Sequence, residues 1–245
     1  MKRYPKIKFK VSIGTDMKNA VDFIKYGRLP EQKIFATWFL PENLRYILNK
    51  EFLISEKNKI SRDYTKKVYK ERKREILTEV KRTEKEWLKI NHKYFKLASR
   101  IFKNYPWPKG NYRGYASIFH MFPRCIGSKI FFFPYKHEIK NYANRVIAHE
   151  MLHFMFFDYI DKKYGLKEET KIAGKPKNFI WQVSEVFNNV MENWAPYRKI
   201  IPNILESKPY PSTEKMFAQM KKQWAKKQDI DWLLNKWLGK QKYGK

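Results

Sequence analysis

Five consecutive residues in the second half of the chain, His149-Glu150-Met151-Leu152-His153, have the types and the spacing of a metal site. On a helix, residues four apart lie one turn above each other on the same face, so the two histidine rings can bind one ion. The glutamate next to the first histidine is then placed to act on a metal-bound water. This HExxH pattern indicates hydrolysis by an activated water, with Glu150 as the catalytic base.

The sequence around the motif favours a metal. Residues 146–160 read VIAHEMLHFMFFDYI, and outside the motif only Asp158 is charged. A helix that is apolar nearly all round is a buried helix. Burial of two imidazoles and a carboxylate is costly unless they are paired or coordinate a metal. The alternative interpretation is a pair of hydrogen-bonded core histidines, with Glu150 reaching the surface.

A third protein ligand is expected, because catalytic zinc usually has three of them and one position open for water. No histidine follows His153, and the single cysteine, Cys125, lies upstream, so a downstream ligand must be Asp or Glu. Glu168 and Glu169 fall in a polar segment with Gly and Pro, which predicts a loop. The next strong helical pattern covers residues 178–194, NFIWQVSEVFNNVMENW.

Within that helix, Glu185 is the favoured ligand, and Glu192 and the loop acids are the alternatives. Most glutamates on a helix belong to a solvated face. Glu185, however, lies in the middle of a rigid helix, and the amide of Asn189, one turn on, could reach a ligating histidine as a supporting partner. Glu192 has no comparable partner in the sequence. We therefore expect the metal site to depend on Glu185 and not on Glu192.

At this point the chain resembles the zinc-dependent metallopeptidases of the gluzincin type. In that group HExxH is joined by a glutamate from a later helix, often with Asp or Asn four residues after it. The matching residues are His149, Glu150, His153, Glu185 and Asn189. The match covers roughly residues 112–194. It implies a site in which the two histidines and Glu185 hold Zn²⁺ while Glu150 transfers protons. The residue that would stabilise the oxyanion stays unassigned, with Tyr197, Tyr210 and His120 as candidates.

Two aromatic and β-branched segments precede the motif, at residues 115–122 and 129–133. Pro, Cys and Gly between them predict a turn, and so a β-hairpin. In the zincin architecture that the resemblance implies, an edge strand before the active-site helix binds extended peptide by strand addition, which suits residues 115–122. Alternatively, both strands simply complete a sheet.

The predicted fold is a single α+β, zincin-like domain over residues 1–245, in which a small mixed sheet with an edge hairpin packs on the active-site helix. Its three segments are an N-terminal sheet and long helix, then the hairpin with the HExxH and third-ligand helices, then a helical tail (residues 1–111, 112–195 and 196–245).

Three finer expectations concern the N-terminal segment. Asp16 is expected to cap a helix that runs toward Tyr26. Residues 34–40 are expected to form a strand. An apolar stripe at three- and four-residue steps predicts one long helix, or two, over residues 61–104.

The composition describes a folded protein with a strong positive charge. A hydrophobic share of 43% with 17% aromatic residues excludes a disordered polycation. The chain has a single cysteine, no stretch of eighteen apolar residues and no secretory signal pattern, so a cytoplasmic protein without a membrane span is predicted.

A net charge of +29 could attract nucleic acid or other polyanions, or could simply reflect a lysine-rich composition. No sequence-specific DNA- or RNA-binding motif is present. The alternatives to a peptidase are therefore a basic nucleic-acid-binding protein with an HExxH metal site and a protease recruited to polyanion-bound proteins.

Overall fold

A computed structural model describes residues 4–26, 40–48, 51–201 and 206–239. The elements, in chain order, are β1 (Ile7–Lys10), α1 (Ile13–Tyr26), a 3-10 helix (Glu42–Leu48), α2 (Ile54–Ile101), β2 (Tyr112–Ser117), β3 (Arg124–Cys125), β4 (Ile130–Pro134), α3 (Tyr142–Tyr164), α4 (Phe179–Asn193), α5 (Ala195–Arg198), a short 3-10 helix (Pro211–Thr213), α6 (Glu214–Lys226) and α7 (Ile230–Leu238). The predicted α+β class with a small mixed sheet is confirmed. The predicted strand at residues 34–40 lies, apart from Leu40, outside the described residues.

The chain divides into two compact units that alternate along the sequence. The first, which we call the sheet unit, comprises Lys6–Trp87 and Asn111–Ile147. The second, the helical unit, comprises Met1–Pro5, Leu88–Gly110 and Ala148–Lys245. The three predicted segments do not coincide with these units, because α2 and α3 each contribute residues to both.

The sheet has the strand order β1-β2-β4-β3. Strand β2 pairs in parallel with β1 on one side and with β4 on the other, and only β3 is antiparallel to its neighbour, β4. The predicted hairpin between residues 115–122 and 129–133 is therefore wrong. The turn lies instead between Cys125 and Ile130, so the hairpin that it forms joins β3 to β4. Strand β2 has a hydrogen-bonded neighbour on each side, so it is not the edge strand that was predicted for residues 115–122, and peptide binding there stays a prediction.

The sheet unit contains a buried carboxyl group where a helix cap was predicted. Asp16 lies in the first turn of α1 and is fully buried. It accepts hydrogen bonds from Tyr69 Oη, Ser117 Oγ and the backbone N–H of Ile118, at 3.1, 2.6 and 3.0 Å. The cap is instead Ser12, whose Oγ accepts from Thr15 N at 3.3 Å. Burial raises the pKa of Asp16 to about 6, against the lowering effect of these three hydrogen bonds.

Helix α2 runs from Ile54 to Ile101, with non-helical backbone angles at Arg72 (φ −114°, ψ 18°). It is thus one helical run with a kink, which combines the two alternatives that the sequence left open. The predicted apolar stripe is buried at Ile76, Val80, Trp87, Tyr94, Leu97 and Ile101.

In the helical unit, the helical tail that the sequence predicted packs through its aromatic residues. Helix α6 contacts α4, and the rings of Trp194 and Trp224 meet edge to face at 5.6 Å. The last helix, α7, is capped by Asp229, which accepts from Trp232 N at 2.9 Å. Of the helices in the described ranges, none is both long enough and apolar enough to cross a membrane.

Candidate metal centre

The HExxH residues lie on α3 in a densely buried part of the helical unit. The side chain of His153 is fully buried, and that of His149 is 21% exposed. Glu150 is also buried, with 4% of its surface exposed. It lies three residues before His153, on the adjoining part of the helix surface. The alternative in which Glu150 reaches the surface is therefore wrong, and this carboxylate belongs to the interior beside the histidines.

Helix α4 brings Glu185 against both histidines. Its Oε2 lies 3.3 Å from His149 Nε2, and its Oε1 lies 3.2 Å from His153 Nε2. The two Nε2 atoms are 3.0 Å apart. Within the residues that the structure describes, these three side chains form the only group of His, Cys, Asp or Glu that could hold a metal ion.

The three side chains form a triangle whose donor atoms are close enough to share one ion. Bonds of 2.0–2.2 Å at the tetrahedral angle place two ligand atoms about 3.3–3.6 Å apart. The two Nε2 atoms are 3.0 Å apart, and each has a different oxygen of Glu185 nearby, at 3.2 Å from His153 and 3.3 Å from His149. Two imidazoles and one carboxylate are the donor set of catalytic zinc, although imidazole also suits copper, iron and nickel. The residues therefore fit a metal ion.

A second carboxylate orients His149. Glu192 Oε1 lies 2.7 Å from His149 Nδ1, and the Glu192 side chain is only 1% exposed. A carboxylate only accepts hydrogen bonds, so Nδ1 is the donor and Nε2 is directed at the ligand triangle. A ligating histidine commonly gives its other ring N–H to such a carboxylate. The expectation that Glu192 has no partner at the site is wrong.

The two neighbouring asparagines have roles different from the one predicted. Asn189 does not reach a histidine: its Nδ2 donates to Glu185 O at 2.8 Å, and its Oδ1 accepts from Ser207 Oγ at 2.6 Å. It therefore joins α4 to the tail. Asn188 instead faces α3, where its Nδ2 donates to the backbone oxygen of His149 at 2.9 Å.

The signal that would have identified Glu192 is the spacing of the polar residues on α4. Glu185, Asn188 and Glu192 occupy positions i, i+3 and i+7, which follow one another along a single helix face. All three are buried and all three contact α3. A buried glutamate needs a partner, and the partner on this face is the HExxH helix.

In the metal-free site the carboxylates stabilise a protonated His149. Burial acts to lower the pKa of this histidine, but the charges and hydrogen bonds of Glu192 and Glu185 outweigh it and raise the pKa to about 10. A metal ion at Nε2 would take the place of that proton, since a ligating histidine must be neutral. The same negative surroundings that favour the imidazolium would favour a cation at the triangle.

The tyrosines considered for oxyanion stabilisation have other contacts. Tyr197 is buried with its ring edge to face against Tyr94, at 6.1 Å, and Tyr210 lies beside Trp181 at 5.3 Å. His120 belongs to the sheet unit.

Comparison with models of protein families, with curated proteins and with solved structures gave no match to this chain.

Proposed function

We propose that the protein is a zinc-dependent metallopeptidase, with His149, His153 and Glu185 as the metal ligands and Glu150 as the general base. The observation that supports this function most directly is the grouping of His149, His153 and Glu185, one ligand atom from each lying within 4.8 Å of the others, with a buried glutamate at the motif position of the base. A buried His-His-Glu set is typical of zinc sites that keep one position open for water.

The chain's own residues supply the positioning and the proton transfer. When bound, zinc would lower the pKa of a water molecule toward neutrality and polarise the scissile carbonyl. Glu150 accepts the proton of the attacking water and delivers it to the leaving amine, because a carboxylate can do both in turn. Glu192 fixes the ring of His149 through the 2.7 Å hydrogen bond, so that Nε2 stays directed at the triangle.

The cytoplasm remains the proposed compartment. Its support is the cysteine content: the one cysteine, Cys125, is free and exposed, so the chain has no internal disulfide.

Metal analysis is the first test of this function. Purified protein, treated with zinc and then dialysed, should retain about one equivalent, since the triangle is one site. Replacing His149 and His153 by Ala should abolish that retention. Absence of bound metal in the wild type after zinc addition would overturn the proposal.

The second test separates binding from catalysis. Glu150→Gln should keep zinc but lose cleavage of labelled, unfolded casein, because an amide cannot accept the proton. Glu169→Gln, an exposed loop glutamate, is the matched control and should leave both measurements unchanged. Cleavage by Glu150→Gln at the wild-type rate would exclude Glu150 as the base, and loss of its zinc would indicate a structural role instead.

A further inference from the structure

The first half of α2 has a positive charge that its own acids do not balance. Residues 54–74 contain nine Lys or Arg and three acids, whereas residues 75–101 contain seven and four. In the second half an ion pair joins Glu79 to Arg82. The larger excess of positive charge on this helix therefore lies in residues 54–74.

Four of these cations form one row, which we call the basic ridge: Lys59, Arg62, Lys66 and Lys70. All four side chains are exposed. Their steps of three and four residues keep them within an arc of about 80° over a length of about 16 Å. Two exposed acids, Glu56 and Asp63, lie three and four residues from Lys59 on this helix. Three ridge residues, Lys59, Arg62 and Lys66, line a surface depression together with Asp63, Ser55 and Asn58.

The ridge is a row of like charges that have no ion-pair partner among the described residues. No ion pair joins a ridge side chain to any other residue in the part of the chain that the structure describes. Cations three and four residues apart on a helix repel one another and destabilise it. Polyanion binding would relieve this repulsion.

We propose that the basic ridge binds the phosphate backbone of nucleic acid. One strand of duplex DNA carries a charge about every 3.4 Å along the axis, so the ridge is as long as about five phosphates. Lys and Arg are the side chains that make such contacts, and they make them without reading the sequence. This proposal does not depend on the metal site, which lies in the helical unit.

The test compares two triple variants with the same loss of charge. The first changes the ridge (Arg62→Gln, Lys66→Gln and Lys70→Gln). The control changes three exposed lysines on α6 (Lys215→Gln, Lys222→Gln and Lys226→Gln). Binding of the full chain to a labelled 20-base-pair mixed-sequence DNA and to a 20-nucleotide single-stranded RNA is measured by fluorescence anisotropy between 50 and 200 mM salt.

For DNA, the slope of log K against log salt should be shallower in the ridge variant than in the wild type. The expected difference is about 2.7, because each of the three lost phosphate contacts contributes about 0.9. The ratio of the variant's affinity to the wild-type affinity then changes by about 40-fold between 50 and 200 mM salt. The slope lost on RNA should be about 0.7 for each contact. The control should keep the wild-type slope on both probes.

Two results would overturn the proposal: no binding of the wild type to either probe at 50 mM salt, or an equal loss of slope in both variants, which would mean that net charge alone is responsible. Zinc content and melting temperature are measured alongside. Zinc content should be unchanged in both variants, and the melting temperature of the ridge variant should not fall, because the substitutions remove repulsion between like charges. A failure at the ridge therefore remains separate from a failure of the metal site.

Discussion

Replacement of Glu192 is the most informative perturbation of the proposed site. This residue is not a predicted ligand, yet its Oε1 accepts a hydrogen bond from His149 Nδ1 at an oxygen–nitrogen distance of 2.7 Å. The Glu192 side chain is only 1% exposed to solvent. If His149 binds the metal through Nε2, removal of Glu192 leaves the ring without its orienting acceptor. Glu192→Ala should then weaken zinc binding although all three ligands remain.

The expected size follows from the type of contact. Loss of a hydrogen-bonded partner behind a ligand typically reduces metal affinity about 10–100-fold, which corresponds to about 1.4–2.7 kcal/mol. Loss of a ligand should cost more, so Glu185→Ala should bind zinc more weakly than Glu192→Ala. Glu192→Gln keeps an acceptor oxygen at the same reach and should lose less than Glu192→Ala. Asn189→Ala should have the smallest effect, since Asn189 bonds to Ser207 and the Glu185 backbone.

The assay is a competitive zinc titration against a chromophoric chelator at constant pH. The zinc-free melting temperature of each variant is measured in parallel, so that a folding defect is not read as a binding defect. Glu169→Ala, in an exposed loop of the same unit, controls for the loss of one negative charge. Wild-type affinity in Glu192→Ala, or a larger loss in Asn189→Ala than in Glu192→Ala, would refute this account of the site.

Two further predictions concern stability. Asp16 has a folded-state pKa of about 6, raised by burial above the 3.8 of the unfolded chain, so its contribution to the free energy of unfolding is fully present below pH 3.8 and is lost as pH rises through 6. The loss should be about 3 kcal/mol, and Asp16→Asn should remove it. In chemical denaturation between pH 4 and 7, the free energy of unfolding of the wild type should fall relative to that of the variant. Parallel curves for the two proteins would contradict the prediction. Asp229→Ala removes the α7 cap on Trp232 N and should cost about 1 kcal/mol, measured as a melting temperature lower by about 2–4 °C; an unchanged value would mean that α7 does not unfold with the rest of its unit.

The local features of the fold could be predicted from the sequence because each depends on residues close together in the chain. The apolar run around His149 and His153 predicts a buried helix, and α3 is buried. The pattern at residues 178–194 predicts the helix that the structure places at Phe179–Asn193. The cap at Asp229 was predictable for the same reason, since the acceptor and the donor are three residues apart.

Strand pairing could not be predicted in the same way. Residues 112–117 and 130–134 contain the aromatic residues that are common in strands, in either a parallel or an antiparallel arrangement. The short turn between them suggested a hairpin, but it closes on β3, a strand of two residues that has no hydrophobic pattern to reveal it. The parallel pairing of β2 with β1 depends on a contact across about a hundred residues, for which the sequence has no local signal.

The site shows where a residue-by-residue comparison with a family stops being sufficient. The position four residues after Glu185, which the resemblance assigns to a supporting partner, holds Asn189, whose amide oxygen accepts a hydrogen bond from Ser207 in the tail. The support for His149 comes from Glu192, seven residues after Glu185 and on the same face of α4. Seven residues make about two turns of a helix, so side chains seven residues apart point in nearly the same direction. A residue four positions after Glu185 and one seven positions after it can therefore both face the same neighbouring helix. What the chemistry requires is a buried acceptor behind the imidazole, and geometry allows more than one position in the chain to supply it.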